Sequence, residues 1–523
     1  DRSNLQVDVN NGDPTDSDGV PLLQASATII DYKTGQVKVL IGGRGNQPSA
    51  SLNRAYFDLK SIGSTTKPLT VYGPAIDTKL ITAGTPLDDT SVSEEILEKY
   101  NFGSVVPKNA DGSMFGYITA REALTYSKNL TSIKTVDMLG LDTALNYGKK
   151  AGLKYAPQSH TMSALALGQF DQPIGNRDGG NTTILASAYG AFGNNGVIYE
   201  PALYTKVEDA SGNLLLEKEP ISTKLFSPQT SYIIYDILKG SSTSAQFNDI
   251  PVAGKTGTTN SSDNFWFAGL TPYYSGSVWI GYDNPQRMNG RSSSAASLFS
   301  KIMAVAHEGL EYKDIEKPSG LVEAKVCKDS GKSPTDLCYE DQRGNRVKTE
   351  YFIDGTQPKS VCDIHVSVSV NSSNNKLANK NTPSRLIEDK VFINKPNANP
   401  NADDYPFVVP TREDDTKAEE YIKLSEIGLR ADMDLYDAIV ILNNRGIKYK
   451  IHGASVASNI SSGQYTLVSF TEKIKNSETV KLNVKVTTNT PDENIGNNGN
   501  NHNRDTSAPD TDTNAEAHRT SIS

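Results

Sequence analysis

The sequence has few cysteines, few histidines and no excess of positive charge, and each shortage excludes a class of protein. Three cysteines among 523 residues are too few for an extensive disulfide framework. A net charge of −9, with no basic stripe interleaved with aromatic residues, argues against binding of nucleic acid. No apolar run approaches the length of a membrane span, and no signal peptide is recognisable. The 36% of hydrophobic and 22% of charged residues instead fit a globular protein with polar extensions.

The start of the sequence indicates a piece of a longer protein. There is no initiator Met, and residues 1–20 are rich in Asp, Asn and Gly. We expect these residues to form a linker, with any targeting segment or membrane anchor upstream of them.

Changes in composition divide the remaining chain, which is too long for one typical domain. Residues 21–312 mix strand-like and helix-like segments and form the main predicted domain. Residues 313–410 hold all three cysteines and many turn formers, whereas residues 411–487 are compact again and predict a small α/β domain. The Asn- and Asp-rich residues 488–523 cannot bury enough apolar surface to order themselves, so we expect a disordered tail.

The main domain begins with predicted strands, ends on a strand-rich block and carries helices between. Two strands joined by a turn are predicted at residues 25–31 and 36–42, and three more between residues 253 and 282. Helices are predicted over residues 63–76, 118–127, 141–151, 183–192 and 296–310. Thr119 is a predicted N-cap, with Glu122 three residues on. This order predicts a mixed α/β (α+β) fold, in which helices pack on one mixed sheet.

A Ser-x-x-Lys pair at the start of a predicted helix, Ser64 and Lys67, is the first candidate for catalysis. Residues three apart on a helix share one face, so Lys67 can reach the Ser64 hydroxyl. Serine is a weak nucleophile until a base takes its proton, and a lysine can be that base where burial or a nearby cation lowers its pKa. A second copy, Ser373 and Lys376, lies in an Asn-rich stretch with no helix behind it. In isolation the motif also fits a surface Ser and Lys that cap a helix.

Two further short motifs follow along the chain. Ser127-Lys128-Asn129 ends a predicted helix, where the hydroxyl could relay a proton to a leaving group and the amide could hold a substrate amide. Lys255-Thr256-Gly257-Thr258 lies on a predicted strand, where the ammonium and two hydroxyls could bind a carboxylate and the glycine permits close approach of a ligand. Ser262-Asp263-Asn264 and Lys33-Thr34-Gly35 repeat these patterns in turns. Each motif by itself also fits an ordinary turn, helix end or strand.

The order Ser-x-x-Lys, Ser-x-Asn, Lys-Thr-Gly resembles that of penicillin-binding proteins and serine β-lactamases. Gly63–Leu69 with Tyr72–Ala75 closely resembles the nucleophile helix of class A, bifunctional penicillin-binding proteins, and Ile118–Leu124 resembles the segment before their second motif. Phe265–Pro272 and Val278–Asp283 resemble the strands after their third motif. The resemblance covers about residues 24–312 and implies the penicillin-binding/serine β-lactamase-like transpeptidase fold, with a central antiparallel sheet packed by helices.

The resemblance implies a serine D,D-transpeptidase that needs no cofactor for catalysis. Ser64 would attack the penultimate carbonyl of a peptidoglycan stem peptide that ends in D-Ala-D-Ala, with Lys67 as the base. The backbone amides of Ser64 and Thr258 would form the oxyanion hole. Ser127 would pass a proton to the departing D-Ala. An amine of a second stem peptide would then take the acyl group and complete the cross-link.

The same resemblance implies the substrate-binding residues, the partners and the location. Asn129 would orient the donor peptide, and its terminal carboxylate would bind at Lys255, Thr256, Gly257 and Thr258. β-Lactams resemble the donor and would acylate the nucleophilic serine. Action is implied at the extracytoplasmic face of the bacterial membrane, with other cell-wall synthesis proteins as partners. Family members carry a membrane anchor and a glycosyltransferase domain; neither is recognisable in these residues, so glycan polymerisation is not predicted.

Two other kinds of function stay open. A D,D-carboxypeptidase or a β-lactamase-type hydrolase would use the same serine, although no Glu-x-x-x-Asn stretch that could activate a deacylating water stands between the second and third motifs. A β-lactam-binding sensor or a wall-binding scaffold would bind without turnover. The intact motif residues argue against a silent site but not against a sensor, which is also acylated.

The cysteine-containing extension suggests a metal site. Cys362 and His365 have the spacing of a metal-ligand pair, and Cys327 and Cys338 could complete a Cys3His zinc site. The irregular gaps between these residues leave two alternatives, a Cys327–Cys338 disulfide or three free thiols.

Residues 431–487 faintly resemble a PASTA module, a small cell-wall-binding domain. The likeness consists of a helix at residues 437–444, a Gly453 turn and a late strand, and a generic α/β domain fits equally well.

Overall fold

Two compact units divide the chain. The first consists of Asp1–Val366 and Val391–Val408, and the second of Ser367–Lys390 and Val409–Ser523. The computed structural model describes residues 14–487, except 46, 104, 172–177, 397, 417–421, 454, 456–459 and 476–477. The predicted tail and most of the predicted linker lie outside the described residues, and the domain division stays a prediction. Among the helices of the described part, none has the length and hydrophobicity that crossing a bilayer requires.

The first unit alternates strands and helices up to residue 306. Its strands, in chain order, are β1 (Leu23–Asp31), β2 (Gln36–Ile41), β3 (Pro86–Asp89), β4 (Gly116–Thr119), β5 (Val197–Tyr199), β6 (Lys206–Glu208), β7 (Leu214–Glu217), β8 (Ser222–Lys224), β9 (Ala253–Thr258), β10 (Asn264–Leu270) and β11 (Ser275–Tyr282). Its helices are α1 (Gly73–Asp77), α2 (Glu94–Lys99), α3 (Ala120–Thr125), α4 (Asn129–Leu139), α5 (Leu141–Lys150), α6 (Met162–Leu167), α7 (Thr182–Gly190), α8 (Pro228–Lys239) and α9 (Ser293–Ala306).

The centre of this unit is a five-stranded antiparallel sheet with the order β2-β1-β11-β10-β9. β10 is buried along its whole length, and successive side chains point to opposite faces of the sheet. Trp266 belongs to the large helical core, whereas Phe267 packs against Phe299 of α9 with ring centroids 4.7 Å apart. The predicted fold class is therefore confirmed: helices cover both faces of one antiparallel sheet.

Several helical segments differ from the prediction, and α2, α4, α6 and α8 were not predicted. The segment after Ile62 begins as a 3-10 turn at Gly63–Thr66 and continues as a π-helical turn at Pro68–Tyr72 before α1. The helix predicted from residue 118 starts at Ala120, where the expected capping box of Thr119 and Glu122 is present. The helix α4, which the sequence did not predict, begins directly after Lys128.

A two-stranded sheet follows α9 in the first unit. β12 (Leu321–Cys327) and β13 (Val347–Ile353) pair antiparallel, with Ala324 opposite Glu350. The chain continues through β14 (His365–Asn371) and β15 (Ile387–Ile393).

The second unit has its own small core. Its elements are β16 (Ile422–Lys423), α10 (Leu435–Asn443), β17 (Tyr449–Gly453), β18 (Tyr465–Phe470), β19 (Lys473–Ile474) and β20 (Val480–Val486). β20 lies between β17 and β18, and its alternate residues Val480, Leu482 and Val484 share a core with Leu442 of α10. This is the small α/β domain that was predicted, whereas its likeness to a PASTA module stays a prediction.

Candidate active site

The turn that carries Ser64 is fixed by neighbours on several sides. The amides of Ile62 and Gly63 both donate to the Gly168 carbonyl at 3.1 Å. Tyr189 donates its hydroxyl proton to the Thr65 carbonyl at 2.8 Å. Gly63 has φ +55°, and a Cβ there would lie 2.6 Å from the Thr258 oxygen, so only glycine fits between the turn and β9. Ser64 itself is half-buried at the surface of this rigid turn.

Lys67 joins the first motif to the second. Its side chain is buried, and its Nζ lies 2.6 Å from the Ser127 carbonyl, 3.2 Å from the Lys128 carbonyl and 2.8 Å from Asn129 Oδ1. The Ser127 hydroxyl is 3.5 Å away. The amine therefore points at the motif that lies sixty residues further along the chain, and the structure brings the two predicted motifs into direct contact.

The surroundings of Lys67 favour its neutral form. Burial has the largest effect and lowers its pKa well below the ordinary value of a lysine, and the charge of Lys255 acts in the same direction. Asp89 opposes this shift, and Lys128 adds a smaller lowering. This lowering increases the share of the neutral amine, the form of a lysine that can accept a proton.

Ser127 lies in a short link between α3 and α4. Its φ of 59° places it in the left-handed region, which is unfavourable for a residue with a Cβ. Its amide donates to the Leu124 carbonyl at 3.1 Å, and the Lys128 amide donates to the Ala123 carbonyl at 2.9 Å. These two hydrogen bonds hold the backbone of the motif against the last turn of α3. The backbone strain is located at Ser127, the residue predicted to relay a proton.

Lys128 is a residue of this site that the sequence analysis did not single out. Its Nζ lies 2.6 Å from Ser113 Oγ and 2.9 Å from Asp111 Oδ2, and 3.4 Å from the centre of the Phe115 ring. A weaker ion pair at 3.6 Å joins it to the buried Asp89. Lys128 occupies the N-cap position of α4, where Ser, Thr, Asp or Asn is usual, and this position could not be recognised because the helix was not predicted.

Asn109 supplies the cap that α4 lacks in its own sequence. Its Oδ1 accepts from the amides of Asn129 at 2.7 Å and Leu130 at 3.2 Å, and its Nδ2 donates to Asp89 Oδ1 at 2.7 Å. The Asn129 side chain is held at both ends, since its Nδ2 donates to the Lys108 carbonyl at 2.9 Å and its Oδ1 accepts from Lys67. No local pattern could have revealed Asn109, because it caps a helix twenty residues away.

The third motif lies on β9, at the edge of the central sheet. Lys255 is buried, and burial lowers its pKa to about 8. Thr256 is half-buried and Thr258 exposed, so hydroxyls are available at the sheet edge. A Cβ on Gly257 would lie 2.4 Å from the Ile62 carbonyl. This glycine therefore permits β9 to approach the turn before Ser64 closely.

The alternative copies of the motifs lie elsewhere. In the copy Ser262-Asp263-Asn264, Asn264 Oδ1 accepts a hydrogen bond from Trp279 Nε1 at 2.8 Å, so Asn264 has a structural role within the sheet. Lys33-Thr34-Gly35 forms the turn between β1 and β2, as predicted. Ser373 and Lys376 belong to the second unit.

The four predicted metal-ligating residues converge into one cluster. Cys327 Sγ and Cys362 Sγ each lie 3.4 Å from His365 Nδ1 and 3.7 Å from each other. Cys338 completes the group, in which all four ligand atoms lie within 4.8 Å of one another, and every member is buried. His365 Nε2 lies 2.9 Å from Asp341 Oδ2.

The disulfide alternative is wrong for this structure, since all three cysteines are free thiols. Cys338 Sγ instead accepts from the Thr335 amide at 3.4 Å, and the sulfur that faces Cys327 belongs to Cys362.

Comparison with known proteins identifies the class that this fold and site define. Residues 25–304 match the penicillin-binding protein transpeptidase domain. The chain belongs to that family, as the sequence resemblance implied.

Further matches are more specific than the match to the transpeptidase family. Residues 317–367 match the C-terminal domain of penicillin-binding protein 1A. Penicillin-binding protein 1A of Clostridium perfringens is 51% identical over 392 residues, which cover 73% of this chain and 47% of that protein. Penicillin-binding protein 1A/1B of Bacillus subtilis is 32% identical over 365 residues, which cover 65% of this chain and 38% of that protein. The chain thus spans about half the length, or less, of these curated relatives.

A solved structure supports the fold. The crystal structure of penicillin-binding protein 1A from Haemophilus influenzae superposes with a TM-score of 0.55 at 20% identity, over 66% of this chain and 56% of that one.

Proposed function

We propose that this chain is a serine D,D-transpeptidase that cross-links peptidoglycan stem peptides through an acyl-enzyme on Ser64. The observation that carries the proposal is the buried amine of Lys67, whose pKa is lowered and which contacts the Ser127-Lys128-Asn129 motif. The family membership supports the reaction class. The serine nucleophile, the D-Ala-D-Ala donor and the individual residue roles are parts of the proposal.

Formation of the acyl-enzyme begins with proton transfer from the Ser64 hydroxyl to the neutral amine of Lys67. The oxygens at 2.6 and 2.8 Å can take the two N–H donors of the neutral amine, and its lone pair must then turn from the Lys128 carbonyl at 3.2 Å toward Ser64 to accept the proton. Ser64 Oγ attacks the penultimate carbonyl of the donor, and the oxyanion is stabilised by the amides of Ser64 and Thr258. The contact of the Gly63 backbone with Thr258 supports this pairing, because it holds the two amides on adjoining elements.

Departure of the terminal D-Ala needs a proton on its nitrogen. Ser127 Oγ, which lies 3.5 Å from Lys67 Nζ, delivers that proton and is reprotonated by the lysine. Asn129 orients the donor peptide. An amine of a second stem peptide then attacks the ester, the serine recovers its proton and the new amide bond is the cross-link.

Recognition of the donor carboxylate falls to β9. Lys255 supplies positive charge, Thr256 and Thr258 supply hydroxyl donors, and Gly257 lets the strand lie against the nucleophile turn. Because Lys255 is buried, its charge is screened by little water and attracts an anion strongly. β-Lactams, which carry a carboxylate beside a reactive carbonyl, acylate the same serine.

The site of action and the partners belong to the same proposal. We place the reaction outside the cytoplasm, at the outer face of the bacterial membrane, where stem peptides and other cell-wall synthesis proteins are found. No cofactor takes part in the steps above.

The test is acylation by a fluorescent penicillin, followed by intact mass and peptide mapping, for the wild type and Ser64→Ala. One adduct on Ser64, absent from the folded variant, is expected, together with a cross-linked product from a stem-peptide donor and an amine acceptor. Labelling that persists in Ser64→Ala contradicts the nucleophile. Hydrolysis without transfer would favour a carboxypeptidase, rapid destruction of the drug a β-lactamase, and a stable adduct without turnover a sensor.

We further propose that Cys327, Cys338, Cys362 and His365 bind a structural zinc ion. Tetrahedral zinc, with Zn–S of about 2.3 Å and Zn–N of about 2.0–2.1 Å, separates its sulfurs by roughly 3.8 Å and sulfur from nitrogen by roughly 3.6 Å. The separations here are 3.7 and 3.4 Å. Four protein ligands leave no open position, and the carboxylate on the far ring nitrogen is a common support of zinc-bound histidine. Metal analysis of the purified protein should give one zinc per chain, and none in a Cys362→Ser variant.

A further inference from the structure

A buried ion pair joins the β12–β13 sheet to the helix that precedes the second motif. Glu350 of β13 is buried, and both its carboxylate oxygens lie 2.7 Å from Arg121 Nε at the start of α3. Arg121 also donates to Asp236 of α8 at 2.7 Å. Removing one partner of such a pair leaves a charge without compensation, so the contact holds the two elements firmly together.

A second contact with α3 comes from the residue that follows Cys327 of the Cys/His cluster. Lys328 follows Cys327, and its Nζ lies 2.8 Å from Glu122 Oε1. The other oxygen of Glu122 accepts from the amide of Thr119 at 3.1 Å and so completes the N-cap of α3. One carboxylate therefore serves both the cap of α3 and the contact with Lys328, the residue after Cys327.

The helix α3 in turn supports the second motif. The amides of Ser127 and Lys128 donate to carbonyls in its last turn. A shift of α3 would therefore move the Ser127 carbonyl and hydroxyl, both of which face Lys67 Nζ. A continuous series of bonded groups thus runs from Cys327 to the amine proposed as the catalytic base.

The β12–β13 sheet packs Leu321, Tyr351 and Ile353 against the main core, and the Cys/His cluster lies at its other end, at Cys327. An isolated two-stranded sheet is marginal in water, whereas a metal with four ligands ties distant segments into one folded unit. Here the ligands come from the end of β12, from residue 338, and from the segment at residues 362–365.

We infer that the metal-loaded Cys/His cluster holds Lys328 and Glu350 against α3 and thereby sets the rate at which Ser64 is acylated. The inference rests on the proposed function. Lys328, Glu350 and Arg121 touch no substrate and are positioning residues. Their effect is expected on the chemical step, through the geometry of Ser127 and Lys67, and not on the initial binding of the drug.

The experiment compares metal-loaded protein with protein stripped by a chelator, with metal content measured in both. Stopped-flow labelling with a fluorescent penicillin separates the acylation rate at saturation from the dissociation constant of the non-covalent complex. Stripping should lower the rate by about fivefold or more, the usual size of coupling between sites, with the dissociation constant unchanged. Adding zinc back should restore the rate. The adduct should still form on Ser64 in both samples.

Variants that keep the metal give an independent measurement. Lys328→Met and Glu350→Gln should slow acylation in the same way while their metal content stays at the wild-type level. The matched control is Lys317→Met, which removes an ion pair to Glu323 at 2.9 Å that lies exposed in the same part of the chain. That variant should acylate at the wild-type rate.

Each result decides the inference. Equal acylation rates in loaded and stripped protein, or in the two metal-retaining variants and the wild type, overturn the coupling but leave the proposed function intact. Protein that binds no metal, or whose thiols oxidise to a disulfide instead, also overturns it. If stripping unfolds the protein, the two variants decide. Absence of any adduct on Ser64 in loaded protein counts against the proposed function itself.

Discussion

Ser127 offers a test that separates backbone strain from chemistry, because its φ of 59° is unfavourable while its hydroxyl is proposed to act. Replacement by Ala removes the hydroxyl and keeps the strain. Replacement by Gly removes the hydroxyl and relieves the strain. The two variants should therefore have the same activity and different stabilities.

The difference in stability follows from two opposing terms. A left-handed conformation costs a residue with a Cβ roughly 1–2 kcal/mol. Glycine makes the unfolded chain more flexible, which offsets about 0.4–1 kcal/mol of that relief. At the midpoints of these ranges Ser127→Gly should be more stable than Ser127→Ala by about 0.8 kcal/mol, or roughly 2–3 °C in melting temperature for a domain of this size.

The assays are thermal unfolding at one scan rate and turnover of a stem-peptide donor with an amine acceptor. Both variants should lose about a hundredfold or more in turnover, the usual contribution of a positioned proton donor. A control pair at Asn146, exposed in the middle of α5, should show the opposite order of stability, since glycine is less favourable than alanine within a helix. If Ser127→Ala is as stable as Ser127→Gly, the strain argument is refuted. If either variant keeps full turnover, the proton relay is refuted.

Three further predictions concern the other parts of the site. Acylation efficiency at low penicillin concentration should rise with pH as Lys67 loses its proton, and fall near pH 8 as Lys255 loses the charge that binds the carboxylate. In Lys255→Arg the alkaline decline should disappear, and a decline that persists near pH 8 would exclude Lys255 as its source. Gly63→Ala should lower the melting temperature and slow acylation, because its Cβ would lie 2.6 Å from the Thr258 oxygen at φ +55°; wild-type values in both measurements would contradict the close contact. Cys362→Ser should lose the bound metal and several degrees of melting temperature, and a variant with wild-type metal content would remove that cysteine from the ligand set.

The central sheet could be predicted because its signals are local. β10 is a continuous apolar run, typical of a strand buried on both faces, and the strands around it end at turn-forming residues. The Thr119 capping box was predictable for the same reason, since both partners lie within four residues.

Several of the missed parts depend on contacts between distant residues, whereas α8 was missed although its Ser227 cap and Pro228 are local signals. α4 buries Leu130, Ile133 and Val136, but polar Thr131, Ser132 and Thr135 are buried among them and interrupt the apolar pattern, and its cap comes from Asn109. The helix after Ser64 is not regular, because Pro68 has no N–H and its carbonyl accepts from the Gly73 amide, five residues on. The spacing of Cys362 and His365 suggested a pair of metal ligands. Only the fold brings Cys327 and Cys338 to the same point.

The register of the central sheet, which pairs Leu23 with Tyr282, has a consequence for how the molecule is made. The two strands are nearly a whole domain apart in the chain, so β1 has no partner on its β11 side until almost all of the transpeptidase sequence has been synthesised. Such non-local pairing slows folding and leaves the β11-facing edge of β1 open to misassociation in the meantime. We therefore expect refolding of residues 21–312 to be slow and sensitive to protein concentration, and any truncation that removes β1 to yield insoluble protein.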